Sequence, residues 1–495
     1  MKRFSLISLA FISLVVCAAQ TTNDFNEYRQ QILNNFNKTK GEIFDNYNSF
    51  RNRINSDYAN FLRNEWKENI VIAPIPKPDD NNPIPPIVFE DNQDTTIFEL
   101  DIEHIVKPQI LPSPKPIEPI KENENNTIPF SFDFYGLKVS LRTPKTFNSK
   151  LTIAPDDIAS SWEHLSQGNF DNTLIDLLLI RENNQLCDWA YLQLLEKFSN
   201  SFLLNKNQST LLTAWLLCQS GYQIRLGHDS TNLIILFASN HIIFEKSYFE
   251  LDGIKYYPLS KYNTKLQICN VRFEGERPLS LAITKEQIFG QKNSGLRTIK
   301  SNRFPDVNIT VSVNENYIEF YNFYPTSAIG ENPLSRWALC ADAPLSEKTK
   351  AILYPSLIEA IGNCSKLDAV NKLLNWVQTG LVYEYDDKIW GHDRAFFVEE
   401  TLYYPYADCE DRSILFSRLV RDLLDLDVAL IYYPGHLATA VKFATDVQGD
   451  AVRIDGKRYI VCDPTYFGAP VGSQMPGLEY DKVQAIILKD NLVVE

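Results

Sequence analysis

Three residues near the end of the chain have the types needed for acyl transfer: Cys409, His436 and Asp463. A cysteine attacks as its thiolate, and an imidazole is the base matched to neutral pH. A carboxylate beside the imidazole fixes which ring nitrogen carries the proton. The two intervals, 409 to 436 and 436 to 463, are equal. A competing reading exists for the cysteine alone, because free Cys is commonly a small buried hydrophobe.

The surrounding residues indicate which elements must hold each group. Cys409 lies in YYPYADCEDRSILFSRLVRDLL, residues 403–424. Ile414, Leu415, Leu419 and Leu423 recur at helical spacing, so one face of a helix is buried. Pro405 and Asp408 precede that helix, and Glu410 and Asp411 fall in its first turn, where the dipole favours carboxylates. Cys409 therefore sits at a helix N-terminus, where free N–H groups favour a thiolate. Val428 to Tyr432 reads as a strand, Pro434-Gly435 as a turn, and His436 opens a second strand running to Phe443. Asp455-Gly456 is a type I′ hairpin signal, and Asp463 ends the strand after it. Adjacent antiparallel strands would bring His436 and Asp463 side by side, with the helix end packed across them.

Three runs carry a resemblance: Ala407-Asp408-Cys409-Glu410-Asp411, Gly435-His436, and Asp463-Pro464-Thr465. In this order the segment resembles the transglutaminase-like superfamily, relatives of the papain-like cysteine proteases. The Asp-Cys-Glu-Asp run is similar to that of bacterial transglutaminase-like cysteine proteases. Ala407 departs from the usual glycine, and Leu437 stands where many relatives carry Ala or an aromatic. The resemblance covers about residues 342–495. It implies a Cys409–His436–Asp463 triad, a thioester intermediate, and a protein or peptide substrate with water or a lysine amine as acceptor. It implies no organic cofactor and no metal. It also directs attention to GLVYEYDDKIWGHDRAFF, where groove and oxyanion residues are expected; Tyr385 and Trp390 are the candidates. His392 in the same stretch is the rival base, but no strand holds it. The rival to catalysis is an exported binding or assembly protein that keeps the fold without the chemistry.

The global numbers fit an exported multidomain protein. Hydrophobic residues make up 44% of the 495, enough for a sizeable core. The net charge is −14, and loss of Lys2 and Arg3 with a leader takes it to −16. That surface argues against a nucleic-acid partner, whose phosphates call for a basic patch. Residues 1–19 have a basic start, an apolar core and small residues at Ala18 and Ala19, the pattern of a secretory signal. Export across the cytoplasmic membrane, to the periplasm or beyond, is the expectation; Cys17 offers a lipoprotein alternative that Val16 fits poorly. No later segment reads as a membrane span. Seven cysteines follow the leader, an odd number, so at least one is unpaired within the chain; Cys409 is the choice for the free thiol. No C-x-x-C or H-E-x-x-H motif supports a metal site.

In order, residues 20–69 read as one long amphipathic helix. Its aromatic stripe from Phe25 to Trp66 suits a core or a partner helix. Residues 70–130 read as a Pro-rich, semi-rigid linker whose IVFED and TIFELDI runs could lend strands to a neighbour. Residues 131–290 read as an α+β domain, four helices followed by antiparallel strands. Its TLLTAWLLCQSGYQIRLG echoes the nucleophile helix and following strand. Setting Tyr222 opposite Asp427 puts Leu204 opposite Cys409, so this would be a transglutaminase-like unit without its nucleophile. His228 and His241 read as structural there. Residues 291–341 read as a β-rich connector, with a hairpin of Asn308–Val313 and Tyr317–Phe323 around Asn314-Glu315-Asn316. Residues 342–495 are the catalytic domain. The fold class is α+β throughout, with a papain-like C-terminal domain whose helix-borne cysteine packs on an antiparallel sheet.

Overall fold

The computed structural model describes residues 30, 38, 49–78, 84–90, 97–109, 114–115, 122, 127–147, 151–262 and 265–488. The proposed leader, Cys17 and most of the aromatic helix before residue 49 lie outside these residues. Residues 49–64 form a helix. Ile54, Tyr58 and Leu62, spaced by four, are buried in the main core. Asn55 joins them, accepting from Trp162 Nε1 at 3.1 Å and Gln219 Nε2 at 3.0 Å. This part of the stripe therefore serves the chain's own core. The helix stops before Trp66, which begins a strand rather than continuing the helix to residue 69.

The strands in chain order begin with β1 (Trp66–Asn69), β2 (Glu99–Ile102), β3 (His104–Val106), β4 (Thr127–Phe134) and β5 (Leu137–Pro144). Next come β6 (Ile224–His228), β7 (Leu233–Ala238), β8 (His241–Ile243), β9 (Phe249–Leu251), β10 (Ile254–Pro258) and β11 (Leu266–Cys269). The connector holds β12 (Arg297–Lys300), β13 (Asn308–Val311) and β14 (Ser327–Ile329). Last are β15 (Asp427–Tyr433), β16 (His436–Lys442), β17 (Ala451–Ile454), β18 (Lys457–Cys462) and β19 (Gln484–Ile487). The protein is α+β with mostly antiparallel sheets, as expected. Four helices, Pro155–Leu165, Asp171–Asn183, Asp188–Phe202 and Lys206–Gln219, precede the first large sheet.

The hairpin expected over 308–323 is not formed. Asn308–Val311 is a strand, but it pairs with Arg297–Lys300, and Glu315–Asn322 is a helix. Asn314 caps that helix by accepting from Asn316 N–H. Tyr317, Phe320 and Tyr321 then bury one helical face among Phe289, Tyr324 and Phe397. Asparagine suits a turn and a helix cap alike, and the aromatic cluster selects the cap.

The C-terminal sheet runs β2-β17-β18-β16-β15-β19-β3. Its two edge strands are consecutive in sequence, with only Glu103 between them. Residues 99–106 pair parallel with β17 through their first half and with β19 through their second. One extended segment from the Pro-rich stretch thus joins both edges and closes the sheet into a barrel. The pleat divides its faces. Val428, Leu430, Leu437 and Val441 pack toward the helix Cys409–Leu424, while Ala429, Ile431, Ala438 and Ala440 face a separate core with Ile102, Val452 and Ile454.

The first large sheet runs β1-β11-β6-β7-β10-β9. Its central order, β11-β6-β7-β10-β9, repeats β19-β15-β16-β18-β17, with every pairing antiparallel in both. An apolar helix precedes each. The interval from helix start to first strand is the same in the two, Lys206 to Ile224 and Cys409 to Asp427. The hairpin loops differ in length, so with Leu233 opposite His436 the pairs Tyr433↔His436 and His228↔Leu233 set Tyr222 opposite Asp427 and Leu204 opposite Cys409.

Candidate active site

Cys409 is the first residue of the helix Cys409–Leu424. Asp408 precedes it in extended conformation, and its N–H reaches Asp411 Oδ2 at 3.4 Å. Asp411 also accepts from Phe396 N–H at 2.8 Å, tying the approach loop to the helix mouth. One turn on, the buried Ser413 hydroxyl donates to the Leu437 carbonyl at 2.9 Å. Arg412 donates to the carbonyls of Ala407, Gln378 and Leu381, which fastens the end of the helix Lys366–Gly380 to the same mouth. These ties set the sulfur against the N–H of Leu437, the residue after His436.

His436 begins β16 and is fully buried, as is Asp463 at the end of β18. Their side chains meet, with His436 Nε2 2.8 Å from Asp463 Oδ2. Asp463 is itself held: Oδ1 accepts from Thr465 N–H at 2.8 Å, and its backbone carbonyl accepts from Gln378 Nε2 at 2.9 Å. His436 Nδ1 is buried and has no hydrogen-bond partner among the described residues. Nε2 faces the carboxylate, so Nδ1 is the unengaged ring nitrogen, and Cys409 Sγ makes no hydrogen bond to it.

The electrostatics of the sulfur differ from the helix-dipole expectation. Burial raises the Cys409 thiol well above its ordinary pKa, and the carboxylates of Glu410 and Asp408 raise it further. The thiol donates to Glu410 Oε2 at 3.2 Å. The Leu437 N–H pulls the other way. Glu410 is pushed up to about 8 by burial, with Asp393 and Asp386 adding repulsion. Burial likewise pushes Asp386 up to about 7. Asp386, Asp408 and Glu410 each offer an oxygen within 4.8 Å of the others, and all three are buried. Carboxylate oxygens suit hard divalent cations, and a cation here would offset the charge that opposes a thiolate. No spaced motif announced this grouping, because Asp386 is brought in from the start of a separate helix.

The groove candidates separate. Tyr385 lies near the sulfur: burial raises its hydroxyl pKa, and Cys409 contributes. Its ring meets Tyr383 edge-on at 5.4 Å. Tyr383, which the sequence reading passed over, is the more buried of the two, and burial, Cys409 and Asp408 all raise its pKa. It lies under the Arg412 guanidinium at 5.2 Å. Trp390 packs instead against Phe396 and Tyr404, with the Arg394 guanidinium 4.9 Å from its ring. His392 is exposed, and its Nδ1 lies 3.0 Å from the Trp390 carbonyl. All seven described cysteines are free, so Cys409 is one of several unpaired thiols.

His228 packs on Trp66, and His241 is buried with its pKa lowered to about 4 by desolvation. In the first sheet the position of His436 is taken by Leu233 and that of Asp463 by Leu259, whose N–H bonds the Ile235 carbonyl at 2.9 Å. Among the described residues no helix is long and apolar enough to cross a membrane. Comparison with protein-family models, curated proteins and solved structures found no match to this chain.

Proposed function

We propose that this is an exported cysteine acyl-transfer enzyme of transglutaminase-like type, acting on a protein or peptide amide. The observation that supports the reading is the buried His436–Asp463 pair: His436 Nδ1 is unpartnered, and His436 directly precedes Leu437, the residue whose N–H meets the Cys409 sulfur. In this reading the Cys409 thiol gives its proton to His436 Nδ1, and the sulfur attacks the amide carbonyl. The tetrahedral oxyanion is held by the Cys409 N–H and a side-chain donor; Tyr383 and Tyr385 are the nearest hydroxyls to consider. His436 then protonates the leaving amine as the C–N bond breaks and a thioester remains. Water, deprotonated by His436, releases a carboxylic acid and regenerates the thiol; a lysine amine in its place would give a cross-link. Hydrolysis is the favoured outcome. A positioned base contributes ~100–10,000-fold and one oxyanion donor ~100–1000-fold.

The repeated strand order supports the companion reading, that residues 131–290 hold a silent copy with Leu204, Leu233 and Leu259 at the triad positions. A second reading of the whole chain, a binding or assembly protein with the fold but no chemistry, is favoured by one observation: the raised thiol pKa. Iodoacetamide labelling read by mass spectrometry separates the two. The enzyme reading expects Cys409 to label ahead of the other cysteines near neutral pH, and His436→Ala to slow it. A Cys409 no more reactive than the buried Cys462 leaves the binding reading.

A further inference from the structure

A second group of buried polar residues lies behind the approach loop and takes no part in the proposed chemistry. The helix Ser335–Asp342, the strand β14 and the segment 394–400 border a partly open cavity of about 60 Å³. Its walls include Lys77, Ser327, Arg336, Arg394 and Glu400. Lys77 pairs with Asp393 at 3.0 Å, and Arg394 pairs with Glu400. Arg336 has no carboxylate within ion-pair distance among the described residues. Its Nη1 donates to the Pro333 carbonyl at 3.2 Å, and its guanidinium lies 3.9 Å from the Trp337 ring centroid. Only 4% of Arg336 is exposed, yet its Nε has no partner. The Ser327 hydroxyl, equally buried, has none either.

Three cations thus meet two carboxylates, Asp393 and Glu400, around a partly open space lined by two polar groups without partners, Arg336 Nε and Ser327 Oγ. An unpaired buried charge is costly, and so is a buried donor without an acceptor. One small oxyanion would answer both. Its size is right, since the cavity exceeds what one or two waters need. A guanidinium is the side chain best shaped to hold such oxygens.

We propose that this cavity is a binding site for a small oxyanion, of the phosphate or carboxylate kind, held by Arg336 Nε and Ser327 Oγ. The site does not depend on Cys409 being catalytic. It does touch the approach loop, because Lys77 holds Asp393 and the Arg394 N–H bonds the Asp386 carboxylate. Occupancy would therefore steady the approach loop where it meets Asp386.

The test is equilibrium dialysis of the full chain with radiolabelled inorganic phosphate, and separately with radiolabelled acetate. Saturable binding of one ion per chain with Kd at or below ~1 mM is expected. Phosphate binding identifies a tetrahedral ligand, and acetate binding alone identifies a carboxylate. Ser327→Ala should weaken binding about tenfold, as should Arg336→Lys, which keeps the charge but not the Nε donor. Circular dichroism of each variant establishes that it is folded. Saturable binding of neither ion, or binding unchanged in both folded variants, overturns the proposal.

Discussion

At the scale of single residues, Glu410 decides how the Cys409 thiol behaves. Its carboxyl stays protonated up to about pH 8 and then adds a negative charge 3.2 Å from the sulfur. Above pH 8 that charge opposes the thiolate; below about pH 7 the side chain is neutral and does not. Glu410→Gln should therefore alkylate faster than the parent at pH 9, by about tenfold for each unit the thiol pKa falls. The two rates should converge near pH 6. Stopped-flow alkylation across this range checks the sign, and equal rates at pH 9 would mean the carboxylate does not reach the thiol. Residue types and their order named Cys409, His436 and Asp463 directly. Tyr383 was not legible, since it differs from Tyr385 only in the depth at which the fold sets it.

Among elements, the contact between the helix Cys409–Leu424 and β16 sets how thiol and imidazole sit relative to one another. Ser413 makes the hydrogen bond that crosses this contact. Ser413→Ala should cost about 1–2 kcal/mol, because the Leu437 carbonyl loses its donor in a buried site. Urea denaturation measures that loss. Cys409 labelling by iodoacetamide should fall in the same variant even where it is fully folded, since the helix mouth is no longer registered to the strand. Labelling at the parental rate would place the register in the Arg412 contacts instead. The local signals for these elements were strong. Asp455 and Gly456 both take the left-handed conformation that a type I′ turn requires, with φ of 49° and 71°. The signal failed at residues 317–323, where aromatics at i, i+3 and i+4 fit a helix as well as a strand.

For the molecule as a whole, closure of the C-terminal barrel depends on residues far from it in sequence. Ile102, on the segment that joins both edges, lies inside with Val452 and Ile454. Ile102→Asp should destabilise the protein by more than about 3 kcal/mol, because it buries an unpaired charge. It should also open the barrel edges, so hydrogen exchange should accelerate in β17 and β19 together. Exchange changing in only one of them would contradict a shared closing strand. The Pro-rich composition marked this stretch as extended but could not say what it pairs with. Strand pairing over such a separation leaves no periodicity, and parallel partners share no turn.

Sequence alone determined the helix that Cys409 opens, the strands after it and the three residues placed at their ends, because helix starts, turns and pleats are written in neighbouring side chains. The tertiary structure decided the electrical surroundings of the sulfur. Asp386 comes from the start of another helix and Leu437 from a strand, and the sulfur is buried beside them. Charge acts through space and through burial, so the pKa of a thiol depends on what the fold brings near it.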